Sequence, residues 1–103
     1  KSHRLGTSLE LDYSDGQGFL TGLILDFSSG GLQVEVTKVW EIGTILILSL
    51  PFKPALKLKG IVGWAKKKGL KYRIGIQFLD LTPNQESIVR AINQSLLWKA
   101  FKR

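Results

Sequence analysis

The sequence predicts an all-β domain with one C-terminal helix, arranged as a six-stranded antiparallel β-barrel. Three observations predict it. Apolar and polar residues alternate with period two in successive runs between Leu5 and Leu79, and Gly, Ser, Asp or Pro turns bound those runs. The period changes to a helical one after Thr82. The chain has 103 residues, 44% of them hydrophobic, which suits one core and is too short for two.

The elements follow in order. Leu5, Thr7, Leu9, Leu11 and Tyr13 share one side of a first strand, with Ser8, Glu10 and Asp12 on the other. Ser14-Asp15-Gly16-Gln17-Gly18 is a turn, with glycines free to take positive φ. Phe19 to Phe27 is a second strand and Ser28-Ser29-Gly30-Gly31 the next turn. Leu32, Val34 and Val36 alternate with Gln33, Glu35 and Thr37 in a third strand. Thr44 to Leu50 is apolar on both faces, which predicts a strand covered on both sides, stopped by Pro51 and Pro54. Lys57 to Lys66 is a fifth strand, with Leu58, Gly60, Val62 and Trp64 on one face. Lys67-Lys68-Gly69 makes a hairpin tip. A sixth strand, Lys71 to Leu79, turns Tyr72, Ile74, Ile76 and Phe78 to the core. Thr82 as N-cap, Pro83 at N1 and Gln85 at N3 start a helix over about 83–100. Ile88, Val89, Ala91, Ile92, Leu96 and Leu97 recur there at helical spacing, with Ile88, Ile92 and Leu96 expected in the core, while Trp98 and Phe101 either close the barrel end or face a partner.

Composition excludes several classes. There is no cysteine, hence no disulfide framework and no thiolate nucleophile. The longest apolar run, Ile42 to Pro51, falls short of the roughly 18 residues that span a bilayer. The lone histidine is His3, and no spacing links the eight acids into a catalytic set, so the expectation is a protein that is not an enzyme and carries no cofactor or metal. The net charge is +7, and no acid occurs between Glu41 and Asp80. Such a field attracts an anion, although a lysine run is commonly a solvated surface. The chain begins at Lys1 rather than Met and is read as a segment of a longer protein.

The informative stretch is D-x-S-x-x-G: Asp26, Ser28 and Gly31. A strand-end carboxylate accepts two hydrogen bonds from one guanine edge, at N1–H and the N2 amino group. A hydroxyl two residues on caps the turn or reaches a ligand, and the glycines permit positive φ and let a flat base approach the backbone. Trp64 alternates with Leu58 and Val62, which reads as a core residue.

With these residues in place the chain resembles the PilZ domain family along nearly its whole length. The D-x-S-x-x-G turn follows the second strand. Gly60-Ile61-Val62-Gly63-Trp64 is similar to that family's G-x-x-x-W strand, and Ile74-Gly75-Ile76-Gln77-Phe78-Leu79-Asp80-Leu81 to its I-G-I-x-F-L-D-L stretch. Gln85, Ile88 and Ile92 match its terminal helix. The resemblance implies a single PilZ-like split-barrel domain over residues 1–103, cytoplasmic and bacterial, that binds cyclic di-GMP. Implied contacts come from Arg4, Asp26, Ser28 and Gly31, joined by Lys1, His3, Gly30 and Trp64, the last as an aromatic that stacks on a guanine. Arg4 matches the second arginine of the family's R-x-x-x-R motif. The first would fall one position before Lys1, and Lys1 stands three residues from Arg4, not four.

Two functional readings follow. In one, cyclic di-GMP is gripped between the N-terminal basic segment and the Asp26 turn, and ordering of that segment alters how the barrel meets a partner protein or domain. In the other, the incomplete arginine pair marks a degenerate module that binds protein and no nucleotide. A barrel binding single-stranded nucleic acid fits the basic interval, but few aromatics share the lysine-bearing face, so no specific nucleic-acid partner is expected.

Overall fold

Alternation carries through to the strands that form. The computed structural model describes residues 9–38, 40–50 and 56–102, with side chains for 10–38, 40–50 and 56–94. The strands are β1 (Leu9–Ser14), β2 (Phe19–Phe27), β3 (Gly31–Val36), β4 (Ile45–Leu50), β5 (Leu56–Lys68) and β6 (Lys71–Leu79), followed by α1 (Pro83–Lys102). They close into an antiparallel barrel in the order β1-β2-β3-β6-β5-β4, and β1–β4 pairing completes the ring. Among the described residues, closure gives every strand a neighbour on both sides. The expected strand start at Leu5 lies outside the described residues, as do Lys1, His3, Arg4, Pro51 and Pro54.

The inward face is apolar. Leu11 and Tyr13 of β1, Val34 and Val36 of β3, Leu46, Leu48 and Leu50 of β4, Val62 of β5 and Ile74 of β6 are fully buried. Each such side chain stabilises by roughly 1.5–3 kcal/mol relative to exposure. Burial also pushes the Tyr13 phenol above its ordinary pKa. A raised folded pKa gives stability that is complete below the unfolded value and lost as pH rises through the folded one. The melting midpoint should therefore drop as pH rises above about 10, the ordinary tyrosine value, and drop less in Tyr13→Phe. Equal drops in the two proteins would remove Tyr13 as the cause.

Several expectations need correction. β4 is covered on one face only: Ile45 and Ile47 point outward and are exposed, because a single barrel wall has a single interior. The β5–β6 hairpin pairs Lys68 with Lys71, so its tip is Gly69-Leu70 rather than Lys67-Lys68-Gly69. Gly69 sits at φ 65°, the positive value that the first position of a type II′ turn requires.

The helix starts as its sequence dictates. Thr82 N–H donates to Gln85 Oε1 at 2.9 Å and Gln85 N–H to Thr82 Oγ1 at 3.1 Å, a complete capping box. Gln85 Nε2 also donates to the Lys57 carbonyl at 3.2 Å, which ties the first turn to β5. Of that stripe, among the described residues, Val89 lies in the core and Ile92 packs against it part-buried, whereas Ile88, expected in the core, is exposed. The side chains of Leu96, Trp98 and Phe101 lie outside the described residues. Among the described residues no helix is long and apolar enough to cross a membrane.

Candidate functional site

Two β-bulges build the site. In β2, Ile24 pairs Val34 and points inward, so strict alternation would send Asp26 into the core as well. The register shifts at Leu25 instead, Asp26 pairs Gln33, and the carboxylate faces outward while Phe27 takes the inward position. In β5, Val62 pairs Ile76 and points inward, and the register shifts again at Gly63. Trp64 therefore pairs Gly75 and lies on the outer wall, not in the core with Leu58 and Val62. An extra residue that reverses the facing of everything after it is what a bulge does, and a strand glycine accommodates it.

The outcome is one outward-facing row across four strands: Asp26 on β2, Gln33 on β3, Gly75 on β6 and Trp64 on β5. Three strand spacings separate its ends, about 14 Å. Gly75 is the floor on which the indole rests, since a Cβ there would collide with Trp64 Nε1, Cε2 and Cδ1. Lys66 Nζ stands 6.0 Å from the Trp64 ring centroid.

The turn between β2 and β3 closes one end of the row. Ser28 Oγ donates to the Gly31 carbonyl at 3.2 Å and accepts from Gly30 N–H at 3.3 Å, so of its two expected roles the hydroxyl takes the turn-capping one. The Ser28 N–H also donates to the Gly31 carbonyl, at 2.8 Å. Asp26 Oδ1 accepts from Phe27 N–H at 3.0 Å, and its carboxylate is otherwise open to solvent. Neither Gly30 nor Gly31 takes positive φ, contrary to expectation. Gly31 is needed for a different reason. A Cβ there would overlap the Ile76 carbonyl oxygen of β6. Gly30 faces open space, which leaves room above the backbone for a flat group.

Together these residues line an open cavity of about 300 Å³ that includes Asp26, Ser28, Gly30, Gly31, Trp64 and Gly75. The structure thus gathers five site residues expected from the sequence: Asp26, Ser28, Gly30, Gly31 and Trp64. Lys1, His3 and Arg4 are outside the described residues. Gln33, Gly75 and Gln77 also line the cavity and were not anticipated, because only register places them there. Chemically the wall offers a carboxylate acceptor, an aromatic plane and a small-residue floor. Among the described residues no cluster of His, Cys, Asp and Glu could hold a metal ion.

A family model described as the PilZ domain matches residues 1–94. Among solved structures, the chain is similar to the PilZ domain with c-di-GMP of YcgR from Escherichia coli, at 15% identity and a TM-score of 0.78, over 92% of this chain and 86% of that one. It is also similar to K. pneumonia MrkH in its apo state, at 16% identity and a TM-score of 0.81, covering 96% of this chain and half of MrkH (50%). The PilZ domain of CeSA from a cellulose-synthesizing bacterium matches at 21% identity and a TM-score of 0.71, over 93% of this chain and 99% of that one. At these identities the structural likeness establishes the fold alone. No curated protein sequence matches.

Proposed function

We propose, from the premise that the chain belongs to the PilZ domain family, that it is a cyclic di-GMP-binding module. The observation that carries this reading is the row of Asp26, Gln33, Gly75 and Trp64, which two bulges bring onto one face of the barrel. Asp26 accepts the N1–H and N2 amino donors of a guanine, and the Trp64 indole supplies a stacking plane. Arg4 and the basic residues around it close over the ligand from the N-terminal side, with Lys1 and His3 adding positive charge or donors. Ordering of that segment on binding then changes the surface presented to a partner protein or domain.

Titration calorimetry with cyclic di-GMP and cyclic di-AMP tests the reading. Adenine places a ring-nitrogen acceptor where guanine has N1–H, so a carboxylate that pairs with guanine meets a lone pair instead. Cyclic di-GMP should bind at least about tenfold tighter, because a site built on donors rejects a base that lacks them. Equal affinities would remove Asp26 as a guanine reader. No binding of either would favour the protein-binding module that takes no nucleotide.

A further inference from the structure

The outer wall continues from the site toward the β5–β6 hairpin. The next outward row runs Leu23, Glu35, Arg73 and Lys66, and the row beyond it sets Lys68 opposite Lys71. Two cross-strand pairs of like charge therefore stand side by side in one hairpin, an arrangement that destabilises a sheet. Glu35 faces them, but its Oε1 is engaged by Lys71 Nζ at 3.6 Å. Among the described residues no carboxylate comes within 4.0 Å of Arg73 or Lys66. Arg73 Nε is buried and donates to no partner among them. A desolvated charged donor left unpaired is costly, so something that completes it would be bound with advantage.

Position says what that is. Rows two residues apart along a strand are about 7 Å apart, within reach of an extended arginine. Arg73 follows Gly75 by one row on β6, and Lys66 follows Trp64 by one row on β5. We propose that Arg73, with Lys66 across the hairpin, is a phosphate-contacting pair that extends the nucleotide site. The inference rests on the cyclic di-GMP reading. With the guanine edge on Asp26 and a base plane on Trp64, a phosphodiester falls over the next row. The guanidinium fork takes phosphate oxygens in paired hydrogen bonds, which a point charge cannot reproduce. An anion between Arg73 and Lys66 also turns their repulsion into shared attraction.

Arg73→Gln keeps most of the stem and removes the charge, and Arg73→Lys keeps the charge and removes the fork. Both are titrated with cyclic di-GMP beside the unaltered chain, at low and high salt, and melted without ligand. Arg73→Gln should bind about tenfold more weakly and with a smaller salt dependence, Arg73→Lys should recover part of the affinity, and the unliganded melt should not fall. Unchanged affinity and salt dependence in Arg73→Gln would overturn the pair while leaving the Asp26 reading in place. A collapsed melt with no recovery of binding in Arg73→Lys would overturn it in favour of a structural role. No binding by the unaltered chain would overturn both readings.

Discussion

Replacing Asp26 with alanine should weaken cyclic di-GMP binding by about tenfold to a hundredfold and leave the fold intact. A hydrogen bond to a charged acceptor is worth roughly 1.5–3 kcal/mol, and each 1.4 kcal/mol is tenfold in affinity. The carboxylate is exposed, and among the described residues its one hydrogen bond is accepted from the adjacent Phe27 N–H. Removing it strips the ligand of an acceptor while the barrel loses little, and surface changes of this kind stay within about 0.5 kcal/mol. Asp26→Asn should fall between, since an amide retains one of the two acceptor oxygens. Calorimetry paired with a thermal melt separates the two effects. Affinity equal to that of the unaltered chain in Asp26→Ala would take the guanine away from this residue.

Gly31→Ala should destabilise the barrel by about 3 kcal/mol, whereas Gly30→Ala, one residue earlier, should be nearly silent. The added Cβ at Gly31 would overlap the Ile76 carbonyl oxygen and lie 3.1 Å from Gln77 Cα. Both obstacles are backbone of β6, so no side chain can swing away and the strands themselves must part. Overpacking of this kind costs about 1–3 kcal/mol, and loosening the neighbouring Phe78 N–H to Gly30 carbonyl bond, 3.0 Å long, adds about 1 kcal/mol. A melting midpoint lower by roughly 12–20 °C is expected for a domain this size. At Gly30 nothing lies within 4 Å of an added Cβ. Equal midpoints for the two variants would show that β3 and β6 approach less closely than the structure has them.

Much of the barrel is legible because period-two alternation is a local property. Leu11 and Tyr13, and Val34 and Val36, are buried where their spacing puts them, whereas the unbroken apolar run of β4 left its inward face, Leu46, Leu48 and Leu50, to the barrel to choose. The capping box is equally local, for Thr82 and Gln85 are three residues apart and satisfy each other. The bulges left fainter traces. Alternation from Ile24 assigns Asp26 to the core, and a carboxylate there would have to shed its hydration, so the conflict itself signals a slip. In β5 the outward lysines are odd-numbered at Lys57 and Lys59 and even-numbered at Lys66, with Gly63 between them. Trp64 gives no such warning, since an indole sits well on either face. In the helix the stripe leaves Ile88 and Val89 as adjacent apolar candidates, and only docking chooses Val89 for the core and turns Ile88 outward.

By itself the sequence determined the six strands, the helix, their order and the D-x-S-x-x-G turn, since each rests on contacts between residues close along the chain. Only the tertiary structure decided which face each site residue occupies. Asp26 and Trp64 are 38 positions apart, and they reach one row through three strand pairings and two register shifts. A one-residue slip turns a side chain to the opposite face. Gly31 follows the same logic: its lack of a side chain matters because β6 runs against it, and nothing in its neighbours along the chain records that approach.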